Sequence, residues 1–195
     1  MNEEKLKIIK EKALEEHIPI IMDDTLEVID TYLKEMKPKR ILEIGTAVGY
    51  SAICFSKYLA EDGIIDTIER DEERIAEAKE NIKEMKLDGK INIYEGDAVE
   101  ILPTLNNKYD AIFIDAAKGK YTFFLEQALR MLDKKGIIFA DNILYKGYVL
   151  SDYNKHKQRT AVRNLREYIK QTTENIELET QILEVGDGLA ITQKK

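Results

Sequence analysis

Apolar and polar positions along the chain change period repeatedly, from helical spacing to short apolar runs and back. Two amphipathic helices are predicted first, over residues 1–16 and 24–36. Short apolar runs typical of buried strands then alternate with helical segments. The predicted strands are 40–44, 64–68, 91–95, 111–114, 137–140, 176–183 and 188–192. The predicted helices between them are 51–59, 71–85, 98–102, 121–131 and 159–170.

This alternation predicts an α/β fold with a doubly wound, mostly parallel seven-stranded sheet. The last two strands flank the turn Gly186-Asp187-Gly188, which predicts an antiparallel pair at the C-terminal end. Residues 1–36 precede the alternation as extra N-terminal helices, and residues 40–195 form the core. Because the 195 residues contain no repeat or low-complexity linker, a single domain over 1–195 is expected.

A glycine turn follows the first predicted strand, with the spacing Glu43-x-Gly45-x-x-x-Gly49 and Ser51 opening the next helix. Glycines allow a ligand to approach bare backbone, and a helix N-terminus leaves N–H groups free. The spacing is wider than the G-x-G-x-x-G of dinucleotide binders. It suits S-adenosylmethionine, which carries a nucleoside and no phosphate. A turn that only packs a helix on a strand remains an alternative.

Polar or small residues follow each of the first five predicted strands. Ligands of such sheets lie beyond the carboxyl ends of the strands, so these positions are candidates for one site. Glu69 can accept both ribose hydroxyls of a nucleoside, and Asp97 and Ala98 can border its adenine. A surface acid at Glu69 and a turn-capping Asp97 are the alternatives.

A second group consists of Asp115, Asp141 and Asn142, which bring hard oxygen atoms from two strand ends. Such donors favour Mg²⁺ with several positions left to water and substrate. A helix cap at Asp115 and a plain turn at Asp141-Asn142 are the alternatives. Lys118 lies close in sequence and is a candidate general base, since burial or a nearby metal favours the neutral amine. Lys120 is expected to face solvent.

Composition narrows the classes further. The net charge of −7 argues against indiscriminate nucleic-acid binding and against DNA as a partner. No apolar run approaches the ~20 residues of a membrane span, and the charged N-terminus lacks an apolar signal core. The single Cys54 excludes an internal disulfide, so a reducing cytoplasm is the expected location.

Residues 144–170 are basic although the chain as a whole is acidic. This segment contains seven Lys or Arg residues and two acids, which gives a local charge of +5. A solvated helix face is the ordinary explanation of such a run, and an anion-binding patch is the sharper one. The cations that follow the Asp141-Asn142 turn are Lys146, Lys155, Lys157, Arg159, Arg163 and Arg166. Nearby aromatic residues for base stacking are few: Tyr145, Tyr148 and Tyr153.

Together these motifs resemble the metal-dependent, catechol-type S-adenosylmethionine O-methyltransferases, whose caffeoyl-CoA-like members share them. The matching segments are Leu42-Glu-Ile-Gly-Thr-Ala-Val-Gly-Tyr-Ser51, Glu69, Phe113-Ile-Asp-Ala-Ala-Lys-Gly-Lys-Tyr121, Ala140-Asp-Asn-Ile143 and Val185-Gly-Asp-Gly-Leu189. The resemblance covers nearly the whole chain and implies a Rossmann-like class I methyltransferase fold.

The resemblance also implies roles, residue by residue. Asp115, Asp141 and Asn142 would bind Mg²⁺ or another divalent cation, with Lys118 as the catalytic base. The residues that would line the S-adenosylmethionine pocket are Ile21, Glu43, Gly45, Ser51, Glu69, Asp97, Ala98 and Asp115. The family's N-terminal helices often support a homodimer, which is expected here as well.

Within the family the chain is most similar to the branch that methylates the wobble 5-hydroxyuridine of bacterial tRNA to 5-methoxyuridine. This similarity implies a tRNA anticodon loop as partner, with Lys146, Lys157, Arg159 and Arg163 holding its phosphates. The 5-hydroxyl and 4-carbonyl of that base are vicinal oxygens, as in a catechol. Methylation of a small catechol-like diol is therefore the alternative.

Overall fold

The structure is a computed structural model that describes residues 2–152 and 158–195. The chain divides into two compact units, Met1–Leu105 and Asn106–Lys195. The seven strands of the described residues form one mixed sheet, in which their order, numbered along the chain, is 3-2-1-4-5-7-6. This order confirms the predicted α/β fold with seven strands, whereas the single domain stays a prediction.

The first unit contains α1 to α5 and three strands. Its elements are α1 (Glu3–Glu15), α2 (Asp23–Met36), β1 (Arg40–Ile44), α3 (Tyr50–Ser56), β2 (Ile64–Glu69), α4 (Glu72–Glu84), β3 (Ile91–Glu95), α5 (Ala98–Ile101) and the 3₁₀ turn Leu102–Thr104. The strands are parallel, with Arg40 opposite Ile64 and Ile65 opposite Ile91. Their carboxyl ends therefore meet at one edge, where the glycine turn, Glu69 and Gly96 follow.

The second unit contains the remaining strands and two long helices. Its elements are β4 (Tyr109–Ile114), the 3₁₀ turn Lys118–Lys120, α6 (Tyr121–Met131), β5 (Leu132–Ala140), α7 (Arg159–Thr173), β6 (Leu178–Leu183) and β7 (Leu189–Lys194). β4 and β5 are parallel, and β7 pairs antiparallel with both β5 and β6. The antiparallel pair predicted at the C-terminal end is confirmed.

Many element boundaries differ from the predictions, and two of these differences, at α3 and at β5, have a visible local reason. α3 ends at Ser56 rather than at residue 59, because the next amides turn back: the N–H of Tyr58 donates to the Phe55 carbonyl at 3.0 Å. β5 starts at Leu132, which pairs with Tyr109, but regular pairing resumes only at Ile137. The intervening polar residues form an irregularity that hydrophobic pattern alone does not predict.

The core is formed by the strands and the inner helix faces, with Leu42, Ile44, Ile65, Ile112 and Ile138 almost fully buried. Within the described ranges, no helix has both the length and the apolar character needed to cross a bilayer.

Candidate active site

The glycine turn after β1 is built from backbone conformations that L side chains rarely adopt. Gly45 has φ 106° and Gly49 has φ 82°, with Ala47 at φ 46° between them. The N–H groups of Gly45 and Thr46 both donate to the Ile68 carbonyl, at 3.1 and 3.2 Å. The turn is therefore fastened to the end of β2, as the predicted approach of a ligand to bare backbone requires.

Glu43 lies beneath this turn and is fully buried. Its carboxylate accepts hydrogen bonds from the hydroxyls of Ser51 and Thr67, each at 2.5 Å. Since Thr67 donates its one hydroxyl proton to Glu43, the contact between Thr46 and Thr67 at 2.6 Å has Thr46 as donor. This chain of hydroxyls connects β1, β2 and α3 and makes Glu43 and Ser51 the internal support of the turn.

Glu69 is half-buried at the end of β2 and organises the same region from the other side. One carboxylate oxygen accepts from the Ala47 N–H at 2.9 Å. The other accepts from the N–H groups of Arg70 at 2.8 Å and Asp71 at 3.1 Å. Glu69 is thus held in a fixed orientation by three of the roughly four hydrogen bonds that a carboxylate can accept, and its role toward a ribose stays a prediction.

The third strand of this unit ends in a similar turn. Gly96 has φ 145° and donates its N–H to the Glu69 carbonyl at 2.7 Å. Asp97 caps α5 through the Val99 N–H at 2.8 Å and pairs with Arg70 at 3.2 Å, while Ala98 is half-buried. The capping alternative for Asp97 is therefore real, and its role toward adenine stays a prediction.

Ile21 is buried, with 4% of its surface exposed, in the segment before α2. Its predicted place over the methionine end of the cofactor is not tested. All predicted cofactor residues except Asp115 belong to the first unit, and Glu43, Ser51, Thr67 and Glu69 form one connected hydrogen-bonded set there with the turn.

Asp115, Lys118 and Asn142 lie together in the second unit, as the sequence predicts. The ammonium of Lys118 donates to the Asn142 side-chain oxygen at 2.7 Å and lies 3.4 Å from the Asp115 carboxylate. Both partners of this ion pair are about three-quarters shielded from solvent. Lys120, by contrast, is exposed, as predicted.

Asp141 is the most buried member of this group, at 1% exposure. Its carboxylate accepts the Asn142 N–H at 2.7 Å. Burial, reinforced by the charge of Asp115, raises the pKa of Asp141 to about 7, although the Asn142 N–H and Lys118 act in the opposite direction. A neighbouring negative charge makes ionisation of a buried carboxyl less favourable, and a bound cation would offset this.

These donors fit a hard divalent cation. Asp115, Asp141 and Asn142 offer carboxylate and amide oxygens, the ligands that Mg²⁺ prefers, and no sulfur or imidazole. A cluster of three or more His, Cys, Asp or Glu side chains suited to a metal does not occur among residues 2–152 and 158–195. The set is thus two carboxylates and one amide, which leaves positions for water and substrate.

The segment after Asn142 is held by the turn that joins β6 and β7. The N–H of Ile143 donates to the Gly188 carbonyl and that of Leu144 to the Asp187 carbonyl, both at 3.0 Å. The Asp187 carboxylate accepts the Lys146 N–H at 2.5 Å. Gly188 has φ 93°, and a methyl group there would lie 2.3 Å from the Leu144 side chain. The C-terminal signature thus supports the predicted metal segment.

Arg166 supports the same segment from α7. Its guanidinium donates to the carbonyls of Val149 at 3.0 Å, Tyr148 at 3.2 Å and Ser151. The sequence places Arg166 among the phosphate-binding cations, but these bonds commit most of its donors to backbone. It therefore shapes the loop more than it offers a free charge.

Arg159 and Arg163 line an open groove of about 590 Å³, along with Val149, Ser151, Asp152, Val162 and Arg166. Neither Arg159 nor Arg163 makes an ion pair with a residue that the structure describes. Lys146 is exposed on the segment after Asn142. Lys155 and Lys157, together with Tyr153, lie outside the described residues. The groove is a candidate anion site.

Some structural residues of this region carry no motif that sequence reasoning could use. Thr67 and Thr46 complete the support of Glu43, and the Tyr121 hydroxyl contacts the ends of two strands. Alternation of apolar and polar residues reports burial, but it does not report which buried hydroxyl meets which acceptor.

Known sequences match nearly the whole chain. A family profile described as O-methyltransferase matches residues 2–195. A catechol O-methyltransferase from Niastella koreensis is 35% identical over 162 residues, which cover 78% of this chain and 72% of that protein. A caffeoyl-CoA O-methyltransferase from Populus kitakamiensis is 30% identical over 170 residues, which cover 83% and 72%.

Solved structures match it equally well. A Staphylococcus aureus structure, provisionally named a caffeoyl-CoA O-methyltransferase, is 34% identical with a TM-score of 0.90. The match covers 97% of this chain and 92% of that one. The strand order and the antiparallel C-terminal pair are therefore those of a known architecture, the one that the sequence predicts.

Proposed function

The chain belongs to the S-adenosylmethionine-dependent O-methyltransferase family, and we propose that it methylates one of two adjacent oxygens of a planar acceptor, the wobble 5-hydroxyuridine of tRNA. The observation that carries the proposal is the cluster of Asp115, Lys118, Asp141 and Asn142, in which an amine lies among hard oxygen donors. Such a cluster suits deprotonation of a hydroxyl.

Asp115, Asp141 and Asn142 would hold Mg²⁺, which when bound acidifies a hydroxyl and compensates the negative charge that develops on oxygen. The structural support is the donor chemistry of these residues together with the burial of Asp141. The protein's part is to keep the oxygens in place, through the Asn142 N–H, the Gly188 turn and Arg166.

Lys118 would act as the base. Its Nζ is held by Asn142 and Asp115, within reach of a ligand bound at the same oxygens. In the neutral form it takes the acceptor's hydroxyl proton. The oxygen then attacks the methyl carbon of the sulfonium, the carbon–sulfur bond breaks, and its electron pair stays on sulfur to give S-adenosylhomocysteine. Fixed orientation of both partners supplies much of the rate enhancement.

The first unit would bind S-adenosylmethionine through Glu69 and the glycine turn. Three backbone N–H groups hold the Glu69 carboxylate in place, and it would accept a hydrogen bond from a ribose hydroxyl. Because the turn is fastened to β2, little has to be reorganised when the cofactor binds. The proposed roles of Ile21, Asp97, Ala98 and Asp115 toward the cofactor complete this set.

The arginine groove supports tRNA as the acceptor. Arg159 and Arg163 present two cations in an open groove. Lys146, four residues after Asn142 in the chain, is exposed as well. Phosphates of a splayed anticodon loop would suit these cations, and binding should weaken as salt rises. A homodimer through the N-terminal helices and a cytoplasmic location belong to the same proposal.

Methylation of a small catechol-like diol is the second candidate, favoured by the names of the relatives from Niastella koreensis and Populus kitakamiensis. The double variant Arg159→Ala, Arg163→Ala separates the two. With tRNA as acceptor, kcat/KM should fall at least tenfold in the variant, while methylation of a free catechol stays within twofold. Equal loss on both acceptors would refute the groove as a phosphate site.

Nucleosides from a deletion strain test the acceptor directly. Accumulation of 5-hydroxyuridine in tRNA and absence of 5-methoxyuridine, measured by mass spectrometry, is the expected result. An unchanged nucleoside profile would transfer the proposal to the small diol. Restoration by the wild-type chain, but not by Lys118→Ala, is the matched control.

A further inference from the structure

Tyr121, the first residue of α6, connects the two strand ends that precede the candidate metal ligands. Its hydroxyl donates to the Asp141 carbonyl at 2.7 Å and lies 3.3 Å from the Ile114 carbonyl. Ile114 is the residue before Asp115. The Ile114 carbonyl also accepts the Asp141 N–H at 3.0 Å. One phenol thus contacts the backbone of both β4 and β5 at the point where Asp115 and Asp141 emerge.

The ring of Tyr121 cannot easily move away from these carbonyls. It is fully buried, and its neighbours are Tyr168, edge-on at 5.7 Å between centroids, and Phe124 at 6.3 Å. The packing therefore holds the Tyr121 hydroxyl against the Asp141 carbonyl.

We propose that Tyr121 is a positioning residue: its hydroxyl sets the spacing of the β4 and β5 ends and thereby the affinity of Asp115, Asp141 and Asn142 for a divalent cation. The inference rests on the proposed function in one respect, that these oxygens bind such a cation. Ligand distances must be correct to about 0.2 Å. Loss of a buried partner leaves the Asp141 carbonyl unsatisfied and frees the strand end to shift.

Side-chain packing of α6 and α7 also holds the strands. The contribution of the Tyr121 hydroxyl is therefore measured against a control variant that loses a hydroxyl from the same aromatic cluster. Tyr168 on α7 supplies it, because it is equally buried, packs against Tyr121, and its hydroxyl bonds to neither strand end. Tyr168→Phe removes the same atom from the same aromatic cluster. Only Tyr121→Phe removes a bond to the ligand-bearing backbone.

The experiment titrates Mn²⁺ into wild type, Tyr121→Phe and Tyr168→Phe, with free Mn²⁺ followed by electron paramagnetic resonance. Saturating S-adenosylhomocysteine is present so that each protein is measured in its folded form, and calorimetry gives the folded fraction. We expect the Mn²⁺ Kd of Tyr121→Phe to rise about 10- to 100-fold, as when other outer partners of metal ligands are removed. That of Tyr168→Phe should stay within twofold.

Equal Mn²⁺ affinities of wild type and Tyr121→Phe would overturn the inference. So would a parallel loss in both variants, because this would trace the effect to packing of the aromatic cluster. If wild type itself fails to bind Mn²⁺ or Mg²⁺, the metal part of the proposed function fails first, and the two failures are thus distinguishable. Unchanged affinity for S-adenosylhomocysteine in Tyr121→Phe confines the effect to the second unit.

Discussion

Glu69 ends β2 in the first unit and Asp141 follows β5 in the second, and the two carboxylates differ in how many hydrogen bonds they accept. Glu69 accepts three backbone N–H groups, and the buried Glu43 is met by two hydroxyls. Asp141 accepts one N–H and has Asp115 as a charged neighbour. The acids of the first unit are therefore satisfied by hydrogen bonds from their own chain, whereas Asp115 and Asp141 are two carboxylates with the one ammonium of Lys118 beside them.

Removal of divalent cations should have the largest effect, and it should affect the second unit much more than the first. In EDTA we expect methyl transfer to fall to background, because Asp115 and Asp141 lose the charge that offsets theirs. Affinity for S-adenosylhomocysteine, measured by calorimetry, should change less than twofold because Glu69 and the glycine turn need no metal. Activity should return with added Mg²⁺. Full turnover in EDTA would remove the basis of the comparison.

Replacement of the base is expected to have the next largest effect. Lys118→Ala should lower kcat by about 10²- to 10⁴-fold, the usual contribution of general-base catalysis. Lys120→Ala is the matched control, since Lys120 is the same residue type on the same turn and is exposed. Its kcat should stay near wild type. Similar losses in both variants would indicate a charge effect rather than proton transfer.

The variant Asp141→Asn tests whether the buried charge of Asp141 lowers the free energy of unfolding. A pKa of about 7 in the folded protein lies above the ordinary value of 3.8. The metal-free wild type therefore loses stability as pH rises from about 4 to 8, whereas the variant does not. In EDTA at pH 8 we expect Asp141→Asn to be more stable by up to about 4 kcal/mol, measured by urea unfolding.

At pH 4 most of that difference between Asp141→Asn and wild type should disappear, because Asp141 is then neutral in the folded state and about half neutral in the unfolded state. Addition of Mg²⁺ at pH 8 should stabilise the wild type and leave the variant unchanged. A variant less stable than wild type at pH 8 in EDTA would mean that the chain, not a cation, already balances Asp141.

Glu69→Ala sharpens the comparison from the first unit. Three N–H groups lose their acceptor and a bound ribose would lose its own, so we expect the S-adenosylhomocysteine Kd to rise about 10- to 150-fold, or about 1.5–3 kcal/mol. Mn²⁺ affinity of the second unit should not change. Glu69→Gln keeps one acceptor oxygen, so its S-adenosylhomocysteine Kd should lie between those of wild type and Glu69→Ala. A loss of Mn²⁺ affinity in Glu69→Ala would contradict independent sites.

The same part of the site follows from sequence in both units. The glycine turn and the strand-end acids could be predicted, because parallel strands bring their carboxyl ends to one edge. The partners of those acids could not. Nothing in the pattern says that Thr67 supports Glu43, or that Arg166 donates to the carbonyls of Tyr148 and Val149.

The ends of helices and strands could not be predicted from sequence for the same reason. The start of β5 at Leu132 depends on its pairing with Tyr109, a contact between residues distant in sequence. Gly188 reads as an ordinary turn residue, and only its closeness to Leu144 explains why a side chain there would clash. Local pattern predicts elements and faces, whereas tertiary contacts decide their ends and their supports.

The stretch from Asp115 to Tyr121 places acid, base and strand clamp on one short, continuous piece of chain. An insertion or deletion anywhere within it would shift all of them together. The segment after Asn142 differs in this respect, because its backbone is held from outside, by the Gly188 turn and by Arg166. If the proposed function holds, a change of acceptor would therefore need side-chain changes in that segment and none between Asp115 and Tyr121.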